Sequence, residues 1–108
     1  GNRALEENTT GYQNIAIGIF TLRSNTTGIN NTAVGQQAMI RTTEGSYNTA
    51  LGSAALSSNT IGTHNTAIGQ QAGAGVPGES NVYRNVFVGS FAGDAIRTGG
   101  DNNIFVGY

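Results

Sequence analysis

Apolar residues recur along the chain in short triplets separated by long polar stretches: Ile15-Ala16-Ile17, Thr32-Ala33-Val34, Thr49-Ala50-Leu51, Thr66-Ala67-Ile68, Val86-Phe87-Val88 and Ile104-Phe105-Val106. They are rich in β-branched residues and too short for helices, so each triplet predicts a strand. Strand residues alternate faces, which places the first and third residue of a triplet on one side and the middle residue on the other. The expectation is that the branched flanking residues line the core. The middle column, Ala16, Ala33, Ala50, Ala67, Phe87 and Phe105, then points outward and needs a cover, since exposed Phe87 and Phe105 would form a contiguous apolar patch. A second, shorter strand is expected three residues after each closing glycine, at Ala4-Leu5, Thr21-Leu22, Ala38-Met39, Ala55-Leu56, Ala72-Gly73 and Ala92-Gly93, with its larger residue as core partner.

The triplets belong to a tandem repeat, the signature of a solenoid. Gly1, Gly18, Gly35, Gly52 and Gly69 follow one another at intervals of 17, Gly89 comes 20 later and Gly107 another 18. Four positions before each of the last six glycines stands Asn14, Asn31, Asn48, Asn65, Asn85 or Asn103, a column unbroken even through the two longer coils. Stacked Asn side chains can donate to and accept from one another, so this column predicts an amide ladder at a corner. Between the strands lie Asn8-Thr9-Thr10-Gly11, Asn25-Thr26-Thr27-Gly28, Thr42-Thr43-Glu44-Gly45 and Asn59-Thr60-Ile61-Gly62, which read as turns with glycine at positive φ. The three extra residues of the fifth coil, together with the only proline, Pro77, predict a protruding loop near residues 73–81.

One coil cannot bury enough apolar area to fold alone, so neighbouring coils must stack. At about 4.8 Å per coil, six coils make a rod of roughly 30 Å. The fold class is therefore all-β: a parallel β-solenoid of about six coils forming one repeat domain over residues 1–108. Gly1 and Tyr108 both fall inside the repeating pattern, so the expectation is a fragment of a longer fibre. Rotational symmetry would cover the outward apolar column without leaving free surface, which points to an oligomer.

Composition narrows function mostly by exclusion. Only 10% of residues are charged, the net charge is −1 and basic residues do not cluster, so neither nucleic acid nor anionic lipid is an expected partner. Cysteine is absent, and no apolar run approaches the roughly 18 residues of a membrane span, so membrane insertion is not expected. Gly73-Ala74-Gly75-Val76-Pro77-Gly78 matches a dinucleotide fingerprint, but no helix follows to aim N–H groups at a pyrophosphate, and a loop is expected instead. His64 is the only histidine and reads as a solvated turn residue. The acids Glu6, Glu7, Glu44, Glu79, Asp94 and Asp101 share no repeat column in adjacent coils, so paired-carboxylate chemistry has no footing. Catalytic, cofactor and metal residues are accordingly expected to be none. The sequons at Asn8, Asn25 and Asn30 are by-products of a repeat written in Asn and Thr. Tyr12, Tyr47, Tyr83, Tyr108, Arg3, Arg23, Arg41, Arg84 and Arg97 are candidates for outward ligand contacts, because aromatics and arginine favour interfaces.

The repeat unit, as in Asn31-Thr32-Ala33-Val34-Gly35-Gln36-Gln37-Ala38-Met39, resembles the head repeats of trimeric autotransporter adhesins. It is also similar to the N-T-A-I-G-x-x-A-L-x-x-N-T-T-G repeats of phage tail fibres and large bacterial surface proteins. The resemblance covers the whole chain and implies a left-handed β-roll, a homotrimer, an extracellular location on a virion or bacterial surface, and attachment to a host glycan or protein. The period here is longer than is usual for adhesin heads, and the last two coils replace Ala by Phe. The expected function is thus a rigid spacer and attachment segment of a trimeric fibre, without enzymatic activity. Two alternatives stand beside it: an ice-binding solenoid, suggested by Thr32, Thr49 and Thr66 in one column, and the non-catalytic shaft of a polysaccharide-depolymerising tailspike.

Overall fold

The computed structural model describes residues 1–108 and contains six strands: β1 (Ile15–Ile17), β2 (Thr32–Val34), β3 (Thr49–Leu51), β4 (Thr66–Ile68), β5 (Val86–Val88) and β6 (Ile104–Val106). They form one sheet in chain order, each parallel to the next. The register follows the repeat without slip: Ala16 pairs with Ala33, Ala50 with Ala67, and Phe87 with Phe105 even across the longer coils. The fold is a parallel β-solenoid, a rod of 33 × 22 × 21 Å.

The core inverts the expected assignment of faces. The middle residues of the strands point inward, and Ala33, Ala50, Ala67 and Phe87 are fully buried within the single chain. The flanking residues Ile15, Ile17, Leu51 and Ile68 lie exposed instead. Phe87 therefore needs no sister subunit to cover it. The physical reason is width. Inside so narrow a rod, the middle strand residue meets the residue six positions on in its own coil and that residue's counterpart in the coil before, and their volumes must together fill the space. Ala33 shares its coil with buried Met39 and Ala50 with buried Leu56, whereas Phe87 shares its coil with Gly93. A Cβ on Gly73 would lie 2.7 Å from the Phe87 ring, and one on Gly93 would lie 2.4 Å from it. The Phe87 ring stacks on Phe105, with centroids 5.1 Å apart and planes at 8°. Large and small thus exchange places between the early and late coils while the cross-section stays filled.

The second strand is also absent. Residues 19–24 and their equivalents form consecutive tight turns, in which Ala38 N–H donates to Gly35 O, Ile40 N–H to Gln37 O and Thr42 N–H to Met39 O. The third residue of the first two of these turns has positive φ, as a type II turn demands: 60° at Gln37 and 52° at Met39. The coils still pair through this segment, since Leu22 N–H donates to Ala38 O and Met39 N–H to Ala55 O. Sixteen non-glycine residues have positive φ in all, in three columns, and none is β-branched. The third column is Gln13, Asn30, Tyr47, His64, Arg84 and Asn102, each immediately before a ladder Asn. The leading members of the core column, Leu5, Leu22, Met39 and Leu56, are buried or half-buried as expected.

The Asn ladder is present over its full length. Asn48 Nδ2 donates to Asn31 Oδ1 at 3.2 Å and to Gly62 O at 2.9 Å, while Asn48 Oδ1 accepts from Asn65 N at 2.9 Å and Asn65 Nδ2 at 3.0 Å. The same pattern links Asn14 to Asn31 and Asn65 to Asn85, and Asn103 N–H donates to Asn85 Oδ1. Asn31, Asn48, Asn65 and Asn85 are buried.

The polar turns form compactly, but glycine serves them differently from the expectation. Gly28 does not have positive φ; a Cβ there would come within 2.3 Å of Gly45 O and 2.4 Å of Asn25 Oδ1. It is a close-approach glycine, and the backbone N–H groups of Thr26, Thr27 and Gly28 all converge on Thr43 O. Positive φ belongs to the glycines that close the strands, such as Gly35 at 130°. Around residues 73–81 the longer coil bulges at exposed Pro77, Gly78 and Glu79, while Ala74 and Ser80 remain buried. Asn81 repairs the stack there: its Oδ1 accepts from Thr60 N and Ile61 N, both at 3.0 Å, where earlier coils present a backbone carbonyl.

Candidate interaction surfaces

With the middle strand residues inside, the outward face of the sheet carries two columns. One runs Ile15, Thr32, Thr49, Thr66, Val86 and Ile104; the other runs Ile17, Val34, Leu51, Ile68, Val88 and Val106. The second column is aliphatic at every coil. Its members reach 58% exposure at Ile17, 42% at Ile68 and 76% at Val106, so an unbroken apolar stripe lies along the rod in contact with water. This stripe does not show in the sequence, where branched residues beside Ala are expected in the core. The Thr column beside it also faces outward rather than into the core, as the ice-binding alternative needs, with its members half-buried against their neighbours.

At the corner preceding the strand, Gln13, Asn30, Tyr47, His64, Arg84 and Asn102 form a column of planar polar side chains, all but Asn30 exposed. The Tyr47 and His64 rings stack with centroids 4.9 Å apart and planes at 19°. Arg84 Nε donates to Asn102 Oδ1 at 2.7 Å. His64 is thus an exposed turn residue, in contact with Thr63 Oγ1 at 3.0 Å.

The remaining candidates are dispersed. Arg3 and Arg23 flank the Phe20 ring at 5.9 and 5.7 Å from its centroid, and both lie beside Glu6 at 3.8 and 2.9 Å. Arg97 pairs with Glu79. Arg41 is exposed without a carboxylate partner. Tyr12 is exposed at the outer corner, Tyr83 is half-buried, and Tyr108 meets Phe91 edge-on at 5.6 Å. Glu7, Glu44, Asp94 and Asp101 do not gather, and no group of three or more His, Asp or Glu side chains converges as a metal site would need. Asp101 Oδ1 accepts from Tyr83 N at 2.9 Å, so its role is to join coils.

Concavity is confined to one place. A cavity of about 290 Å³, lined by Ala92, Gly93, Ile104, Phe105, Val106, Gly107 and Tyr108, opens over the last coil. It is the exposed end of the stacked interior, with Phe105 as its floor. The glycine-rich segment 73–78 contains no helix, so it lacks the helix terminus that the dinucleotide fingerprint directs at a pyrophosphate. No helix of the chain is long and apolar enough to cross a membrane. The chain matches no family model, no curated protein and no solved structure in comparisons with each.

Proposed function

We propose that this chain is a structural segment of an extracellular trimeric fibre of the phage tail-fibre or bacterial adhesin kind, serving as a rigid spacer and attachment surface and carrying out no catalysis. One observation supports this reading above the others: the outward column Ile17, Val34, Leu51, Ile68, Val88 and Val106 is aliphatic at all six coils, whereas the columns on either side admit polar residues. Long apolar patches on soluble proteins mark interfaces. The occupant that fits is a second and a third copy of the same rod, because only an identical coil spacing keeps an aliphatic residue opposite the stripe at every level. One long face of a 33 × 22 Å rod is of the size of the roughly 800 Å² per partner that standard interfaces bury. Cyclic symmetry closes the set and hides all three stripes. The proposal moves the interface from the middle strand residues to their neighbours.

The test is the molar mass of the purified protein in solution by light scattering at several concentrations. A trimer is expected, and the double substitution Leu51→Lys with Ile68→Lys should convert it to a monomer that keeps its β circular dichroism. A wild-type protein that stays monomeric at high micromolar concentration would refute the reading.

A second reading has its own observation. Thr32, Thr49 and Thr66 face outward in strict register beside Val34, Leu51 and Ile68, which makes three stacked Thr-x-aliphatic rows on a regular sheet, the kind of array an ice lattice could meet. Ile15, Val86 and Ile104 interrupt the Thr column at both ends. Thermal hysteresis in a freezing assay, abolished by Thr49→Lys, would establish that function for the same face and displace the fibre interface.

A further inference from the structure

The fibre reading leaves the ligand of its attachment surface open, and the corner column bears on it. Every member of Gln13, Asn30, Tyr47, His64, Arg84 and Asn102 is a planar hydrogen-bonding group, and each occupies the same left-handed backbone conformation, with φ between 56° and 61°. The shared conformation gives all six residues one backbone direction, and adjacent coils hold them in line. Tyr47 and His64 stack ring upon ring, which takes one face of each; His64 Nδ1 meets Thr63 Oγ1 at 3.0 Å, while the Tyr47 hydroxyl and His64 Nε2 make no hydrogen bond within the chain. Such a row offers hydrogen bonds at each level and no apolar pocket.

Charge distinguishes Arg84 within the row. Three of the five arginines, Arg3, Arg23 and Arg97, lie beside carboxylates. Arg84 is held instead by a neutral amide, through Nε to Asn102 Oδ1 at 2.7 Å. Arg84 forms no ion pair with a carboxylate of the chain, and its terminal nitrogens make no hydrogen bond, so they are free to take a planar anion end-on. No carboxylate belongs to the column.

We infer that this corner column binds an extended acidic polysaccharide laid along the rod, with a uronate-type carboxylate on Arg84 and ring hydroxyls on the amides, Tyr47 and His64. Regularly spaced polar groups suit a hydroxyl-rich chain that repeats along its length. A peptide would require a pocket or a free strand edge, and the column supplies neither. The inference rests on the attachment reading of the chain but does not depend on trimer formation, because the column lies at a corner outside the aliphatic stripe.

The test uses oligogalacturonate as the acidic probe and an uncharged galactan of similar length as its neutral counterpart, with binding followed by titration calorimetry on the wild-type protein. The acidic probe is expected to bind at least about tenfold more tightly than the neutral one, and Arg84→Gln to weaken it by about tenfold or more, the worth of one charge-assisted contact. Tyr47→Ala should weaken it as well. Arg41→Gln, which removes the other arginine lacking a carboxylate partner from outside the column, should leave binding unchanged. Molar mass is measured for every variant. A trimer that ignores the acidic probe would overturn the inference while sparing the fibre reading, and a monomer that binds it in this pattern would do the reverse. Equal weakening by Arg41→Gln, or equal affinity for the neutral chain, would also overturn it, since either marks charge or sugar binding without a site.

Discussion

Replacing Asn48 by Asp tests the amide ladder more sharply than deleting it. The side chain sits at the centre of the ladder, fully buried, donating through Nδ2 to Asn31 Oδ1 and Gly62 O and accepting from the backbone and side chain of Asn65. Asn48→Ala removes four hydrogen bonds and leaves the buried Asn65 N–H without a partner; Asn65 Nδ2 keeps Val82 O, and Gly62 O keeps Asn59 Nδ2. At about 1 kcal/mol per bond, with the orphaned donor toward the upper end, the loss should be about 3–5 kcal/mol. An ionised Asp is worse. It keeps the acceptors for Asn65 but sets a carboxylate oxygen against Asn31 Oδ1 and Gly62 O, where a donor stood. The protonated acid restores one of those two donations. Burial and facing oxygens both favour the neutral form, so the folded-state pKa of the introduced group is raised above its unfolded value of about 3.9. Its folding penalty is then smallest below the unfolded pKa and grows as pH rises, levelling off above the folded pKa. Urea denaturation of the variant between pH 3 and 8, with each point referred to wild type, should show Asn48→Asp losing stability relative to wild type as pH rises, while Asn48→Ala shows a constant deficit. A pH-independent deficit for Asn48→Asp, or a loss below about 1 kcal/mol for Asn48→Ala, would refute the ladder's structural role.

A second ladder can be completed. Asn25 Oδ1 is buried without a donor because the next coil has Thr42 where the column otherwise runs Asn8, Asn25 and Asn59. Thr42→Asn should supply it and stabilise the fold by about 1 kcal/mol, offset in part by losing the Thr42 Oγ1 bond to Asn59 O, and thermal melting should register a rise of a few degrees. Phe87→Ala should cost about 3–5 kcal/mol, yet adding Gly73→Leu to it should recover part of the loss, since Leu already occupies the equivalent left-handed position at Leu22 and Leu56; a double-mutant cycle measured by denaturation should give a favourable coupling. Gln37→Gly should be neutral or stabilising by up to about 1 kcal/mol at a position with φ of 60°, whereas Gln37→Val should destabilise, and chemical denaturation separates the two.

The strands, the register and the Asn column were legible because each depends on one residue type recurring at one spacing, and the longer coils keep the triplet and its Asn intact. The face that each strand turns inward was not legible from the triplets. Ile, Val and Leu beside Ala suggest a core of branched residues with Ala outside, and the alternation is the same whichever side is interior. The informative signal lay six residues further on, where Leu56 gives way to Gly93 as Ala50 gives way to Phe87, and in the coil between, where Gly73 clears room for the Phe87 ring of the coil that follows. Compensation of that kind occurs only between positions that touch. The left-handed turns escaped notice because Leu, Met, Gln and Phe are unusual there; they are stabilised by bonds between coils that a single coil does not display. The corner column escaped for a related reason, since Gln13, Asn30, Tyr47, His64, Arg84 and Asn102 share geometry and planarity but no single residue type. Its common property appears once the coils are stacked.

Each ladder amide takes its hydrogen bonds in one sense: the oxygen of one coil always receives from the nitrogens of the coil that follows it. Turning over any single amide would set oxygen against oxygen on one side and nitrogen against nitrogen on the other, so no member can reverse alone. The column therefore behaves like a row of aligned magnets, giving the rod a head and a tail and telling any coil added to it which way round to sit.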